Sequence, residues 1–152
     1  MAVDVLTEIV IECPRDQVSA YAADPAHATA WYRNIKQVDV LTDGPLGTGS
    51  RAAFVAEFLG RRLSYIYEVR EFAPGERLVM GTSDGPFAME TTYTWRDSGS
   101  GGTLMTLRNR GRPAGFSRLT APLMAASMGR ANRNDLAALK QLLEAGAVDR
   151  EA

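Results

Sequence analysis

The chain has 152 residues, 45% of them hydrophobic and 23% charged, with a formal net charge of −1. That length suits one good core rather than two full domains, and the apolar content is too high for a disordered chain. With no basic surplus to neutralise a phosphate backbone, no nucleic-acid partner is expected.

Val3 to Glu12 alternates, with Val3, Val5, Ile9 and Ile11 on one side and Asp4, Glu8 and Glu12 on the other, as in a half-buried strand. Pro14 suits a helix start, and Val18, Tyr21 and Ala22 follow at helical spacing. Asp24-Pro25 interrupts, and a second short helix is predicted from Pro25 to about Tyr32. Val38 and Val40 mark a strand, and a loop rich in glycine runs from Gly44 to Gly49. Strands are predicted at Arg51 to Phe58, Arg62 to Phe72, Leu78 to Thr82, Phe87 to Trp95 and Thr103 to Arg110, parted by turns at Gly60, Ala73–Glu76, Asp84–Pro86 and Asp97–Gly102. Arg108, Arg110 and Arg112 alternate on that last strand and read as its solvated edge. The remainder is helical from Leu119 to about Leu143, with Ser117 as N-cap, a stripe of Met124, Met128, Ala131, Leu139 and Leu142, and Gly146 as the stop.

The order predicts an α+β domain over residues 1–146 with a tail at 147–152. Strands joined by short turns make an antiparallel meander, and the long helix is the element able to cover its apolar face. The single cysteine, Cys13, has no partner for an internal disulfide and no nearby Cys or His for zinc; no metal or other cofactor is expected. The first residues lack a signal-peptide pattern and no apolar run nears membrane-spanning length, so a cytoplasmic protein without stable membrane insertion is expected.

Four stretches resemble one family. Cys13 to Val18 with Tyr21, Asp24-Pro25 and Trp31 is similar to its helical entry, and Gly44 to Arg51 to its loop before the third strand. Val69 to Leu78 resembles its strand–turn–strand segment, and Leu136, Leu139-Lys140 and Leu142 to Glu144 the end of its last helix. The family is the START and Bet v 1-like (SRPBCC) superfamily, in its polyketide cyclase/dehydrase and lipid transport branch. The resemblance implies a helix-grip fold: a curved antiparallel sheet of about six to seven strands wrapped around the C-terminal helix, two short helices after the first strand, and a cavity between sheet and helix. It implies no single activity, since such proteins include cyclases, dehydratases and carriers.

Within that fold, Trp31, Tyr65, Tyr67, Met89, Thr91, Tyr93, Met105, Met124 and Met128 are the candidate ligand-binding residues. The tyrosines and Thr91 put hydroxyls on an inward face. Either a wet or ligand-filled cavity satisfies them, or they reach water at the sheet edge. The methionines either converge on the same space or fill ordinary core. Trp31 and Tyr32 are candidates for a lid. Asp135 sits on the inward stripe of the long helix and is either a cavity acid/base or the anchor of an arginine. Tyr67 and Asp135 are the catalytic candidates. His27, the one histidine, reads as a solvated helical residue, and Glu57 is the strand acid whose facing is ambiguous. Gly129 inside the long helix suits a kink, room for a ligand, or neither. The Gly44–Gly49 loop lacks the lysine and following helix of a phosphate cradle and reads as a cavity rim. No Ser/His/Asp triad is assigned, since His27 is the one histidine available to it.

The expected partner is a hydrophobic small molecule of polyketide, aromatic or lipid type. Cyclisation or dehydration of that ligand, non-catalytic carriage or sensing, and partner binding by a collapsed cavity remain open alternatives.

Overall fold

The computed structural model describes residues 3–58, 60–82, 87–113 and 121–146. Strand β1 (Val3–Ile11) leads into helix α1 (Arg15–Ala23), a 3-10 turn (Pro25–His27) and helix α2 (Ala28–Trp31). Six strands follow: β2 (Ile35–Val40), β3 (Arg51–Phe58), β4 (Arg61–Ala73), β5 (Arg77–Thr82), β6 (Phe87–Asp97) and β7 (Thr103–Pro113). Helix α3 (Ala121–Glu144) is the last element among the described residues. The Ser117 cap, the 84–86 turn and the 147–152 tail lie outside the described residues.

The seven strands form one curved antiparallel sheet in the order β1-β7-β6-β5-β4-β3-β2. The first strand therefore pairs with the last, Val3 opposite Gly111 and Ile11 opposite Thr103, and β1 and β2 are the edges. This is the α+β helix-grip architecture that the sequence implies.

Local chemistry sets the breaks. Asp24 ends α1 in an extended conformation before Pro25, and its side chain accepts the Ala26 N–H at 2.9 Å to open the 3-10 turn. Gly60 turns β3 into β4 with a φ of 76°, which a residue with a Cβ resists. In β4 the register shifts between Val69 and Glu71, a bulge that bends the sheet.

The concave face holds the core. Ile11, Leu78, Met105 and Leu107 are fully buried from the sheet, and Leu136 and Leu139 from α3. The buried stripe of α3 runs Met124, Met128, Asn132, Asp135–Leu136, Leu139 and Leu143, while Ala131 and Leu142 flank it half-buried. Gly129 lies against Val5 of β1, where a Cβ would stand 3.6 Å from that valine; its place is at the helix–strand crossing rather than at a ligand. On the convex face, Arg108 pairs with Asp4 at 2.6 Å and Arg110 with Glu90 at 2.9 Å, so both arginines bridge neighbouring strands in solvent.

Two side chains of α3 meet the β1 edge. Lys140 donates to the Val10 carbonyl, and Glu144 accepts the Glu12 N–H, each at 2.8 Å.

Truncating the helix–sheet seam separates core from surface. Leu139→Ala, at a fully buried position, is expected to lower stability by about 2–5 kcal/mol, whereas Leu123→Ala, at a position 63% exposed, shifts it by less than about 0.5 kcal/mol. Urea unfolding followed by tryptophan fluorescence reads both.

Candidate functional site

The space inside the fold divides into two chambers. The outer one, about 540 Å³, lies between α1, the 42–50 loop, β3 and β4. The inner one, about 120 Å³, lies under α2, against β3 to β7 and the middle of α3. They abut along a common wall that includes Phe54, Tyr67, Met80 and the turn from Ala23 to Pro25. The inner chamber is the expected space between sheet and C-terminal helix, and the outer one extends it on the β3–β4 side. The larger space receives no lining residue from α3, because α3 packs along β1 and leaves the β3–β4 side to α1 and the glycine-rich loop. Gly44, Pro45 and Leu46 of that loop stand on the outer rim.

Of the nine candidate ligand contacts, Trp31, Tyr65, Tyr67, Met89, Thr91, Tyr93 and Met128 line the inner chamber. Met105 and Met124 do not. Met105 is fully buried among Ile11, Trp95 and Leu107 in the main core, and Met124 packs beside Met89, Met128 and Val3 at the far end. Strand alternation and helical spacing put both inward; depth along each element takes them past the chamber.

Trp31 and Tyr32 roof the inner chamber, their rings 4.1 Å apart, and Trp31 lies 5.9 Å from Tyr93. The hydroxyls of Tyr32, Tyr67, Thr91 and Tyr93 find partners in one another. Tyr32 and Tyr93 meet at 2.5 Å. Tyr67 reaches across β5 to Thr91 at 2.7 Å. Two residues not anticipated extend this contact: Asn109 donates to Thr91 and Asn132 donates to Asn109, each at 2.7 Å. Asn132 stands four residues after Met128, on the same helical stripe as Asp135, and Asn109 alternates with Met105 and Leu107 on β7. Both positions were legible by spacing; the chemistry between them was not.

Burial pushes the Tyr67 phenol up to about 12 and raises Tyr32, Tyr65 and Tyr93 well above the ordinary value. At neutral pH these groups keep their protons.

Asp135 is 3% exposed and lines the inner chamber. Its Oδ1 accepts the backbone N–H of Arg33 at 3.1 Å, which ties α3 to the residue just after the Trp31–Tyr32 roof. Burial pushes its carboxyl up to about 6, against the lowering effect of the Arg33 N–H. The anchored partner is thus a main-chain amide as well as the nearby Arg33 charge.

His27 stacks on Tyr21 at 4.1 Å with its Nδ1 3.0 Å from the Tyr21 carbonyl, and it lines neither chamber. Glu57 is exposed. Among the described residues, no three His, Cys, Asp or Glu side chains come together as a metal site, and no helix is long and apolar enough to cross a membrane.

The family model described as polyketide cyclase / dehydrase and lipid transport matches residues 2–144. The chain belongs to this family. Solved structures share the fold at low identity. TTHA0849 from Thermus thermophilus superposes with a TM-score of 0.78 at 22% identity, covering 94% of this chain and 99% of that one. The Zhui aromatase/cyclase from Streptomyces sp. R1128 gives 0.76 at 15%, covering 99% and 95%. A START superfamily protein from Mycobacterium smegmatis gives 0.74 at 16%, covering 98% and 99%. Among curated proteins, none matches the chain.

The raised carboxyl fixes a pH signature for this member of the polyketide cyclase/dehydrase and lipid transport family. Folded Asp135 holds its proton up to about pH 6, whereas the unfolded group releases it near 3.8, so stability falls as pH rises between those values and then levels. Asp135→Asn keeps an acceptor for the Arg33 N–H without the charge. The variant is expected to match the parent below about pH 4 and to exceed it by up to about 3 kcal/mol above pH 7. Denaturant melts across that range check the sign.

Proposed function

We propose that this protein binds a hydrophobic small molecule of polyketide, aromatic or lipid character, its bulk in the outer chamber and an oxygen-bearing end in the inner one. The observation that carries this reading is the shared wall. An apolar chamber of about 540 Å³ falls within the roughly 300–1,000 Å³ of ordinary ligand sites, and it abuts a smaller one set with buried hydroxyls. A wall of Phe54 and Met80 with a single hydroxyl from Tyr67 favours an extended apolar ligand that presents a polar atom at one point.

Cyclisation or dehydration is the reaction this arrangement would support, and the family supports it in kind. Protonated Tyr67 and Tyr93 would polarise a carbonyl oxygen. Asp135, with its carboxyl at about 6, is poised to exchange a proton near neutral pH. Holding a flexible chain in a reactive fold supplies roughly 7–11 kcal/mol of a barrier without further groups. A carrier would share the chambers and lack the turnover.

The outer chamber tests the binding reading. Ala20 lines it yet is exposed, so Ala20→Trp fills the opening without disturbing the core. Binding of apolar aromatic probes, read by calorimetry, is expected to weaken more than tenfold in that variant with the melting temperature unchanged. Equal affinity in both proteins would place the ligand elsewhere. With an unreduced polyketone as substrate, turnover lost in Asp135→Asn while binding persists marks an enzyme; binding alone in the parent marks a carrier.

A further inference from the structure

We propose that Asn132 and Asn109 fix the Tyr67 hydroxyl as a hydrogen-bond donor into the cavity, and that the ligand atom it meets is the oxygen of a neutral carbonyl, as in a ketone, quinone or lactone, rather than of a carboxylate. This rests on the binding reading above and narrows it to a ligand class.

The direction of the chain follows from the donors. A side-chain amide nitrogen only donates and its oxygen only accepts. Asn132 Nδ2 donates to Asn109 Oδ1, and Asn109 Nδ2 in turn donates to Thr91 Oγ1. Thr91 is buried with its Oγ1 2.7 Å from the Tyr67 oxygen, a contact in which either hydroxyl can donate; the proposed relay has Thr91, already accepting from Asn109, pass its own proton to Tyr67. With Thr91 donating to Tyr67, the phenolic proton points away from Thr91, toward the chambers whose shared wall Tyr67 forms. Successive hydrogen bonds in one sense polarise each other, so the last donor is the strongest. Burial keeps that phenol protonated, its pKa pushed up to about 12.

A second donor points to the same ligand chemistry. Trp31 lines the inner chamber, and its buried Nε1–H has no acceptor among the described residues. Trp31 thus sets a second, unpartnered donor at the chamber wall.

Charge decides which acceptor. The ionisable acids lining the inner chamber are Asp24 and Asp135, and no Lys, Arg or His lines it. A ligand carboxylate would enter beside two acids, with the Arg33 charge already engaged at Asp135 and no cation in the lining to meet it, which burial penalises heavily. A neutral carbonyl meets the donors without that cost.

The test compares three naphthalenes of one shape: 2-acetylnaphthalene, its hydrocarbon analogue 2-isopropenylnaphthalene, and 2-naphthoate, titrated at pH 8 by tryptophan quenching and calorimetry. The parent protein is expected to prefer the ketone to the alkene by about three- to tenfold, to bind the carboxylate more weakly than either, and to lower the carbonyl stretching frequency of the bound ketone. Tyr67→Phe and Asn132→Leu should each erase the preference and shrink the infrared shift while alkene affinity stays within about twofold. An asparagine that only packs would weaken both probes together and leave the infrared shift intact. Should Asn132→Leu fail to fold, Asn132→Ala is read with the same probes. Equal binding of ketone and alkene by the parent overturns the donor assignment, and a full preference in the Asn132 variants overturns the relay. Failure of the parent to bind either neutral probe overturns the binding reading itself and this inference with it.

Discussion

One helix cannot cover this sheet. Seven strands about 4.8 Å apart span about 29 Å, while a helix with its side chains is about 10–12 Å wide. Helix α3 therefore seals the β1 side, where Leu136, Leu139 and Leu143 meet Met105 and Leu107. The β3–β4 side is left to two short helices and a glycine-rich loop. Those pieces are too small and too far apart to fill the space beneath them; the outer chamber lies there, and the inner one runs from it toward the middle of α3. The cavity is thus a result of the width of the sheet, and its position follows from which edge the helix occupies.

The polar groups set into that space are costly ones. An unpaired buried hydroxyl or amide costs about 1–3 kcal/mol, and the pairs Tyr32–Tyr93, Tyr67–Thr91, Thr91–Asn109 and Asn109–Asn132 avoid most of this by satisfying one another. Trp31 Nε1–H stays unpaired, and Asp135 is costly for another reason: a carboxyl raised to about 6 is one the fold would rather keep neutral. An apolar residue there would be easier to bury. Retaining such a group at a chamber wall, held by the Arg33 amide behind the roof, is the pattern of a site that gives up stability for chemistry or recognition.

Much of this was readable in the residues. Alternation placed β3 at Arg51 to Phe58 and set Tyr65, Tyr67, Thr91 and Tyr93 on the inward face, because period two is enforced wherever one face of a sheet is buried. Helical spacing turned Asp135 inward for the same kind of reason. What periodicity does not encode is depth along an element. Met105 and Met89 are both inward, yet one sits in solid core and the other at the chamber. Nor does it encode which side chains meet across elements, so the Asn109–Asn132 contact is not legible from two inward positions. The outer chamber was hidden because its walls come from the 42–50 loop and from α1, whose relative placement is tertiary.

The contacts of Lys140 and Glu144 with β1 carry a further consequence. An edge strand offers unpaired carbonyl and amide groups to any other extended chain, and these two side chains occupy the Val10 carbonyl and the Glu12 amide. The same strand shows Leu6 and Val10 to solvent, an apolar invitation beside the open backbone. The last turn of α3 thus acts as a guard rail against self-association. A chain cut short before Lys140 would lose the guard together with Leu143 of the core, and its first strand would be free to recruit the β1 of another molecule.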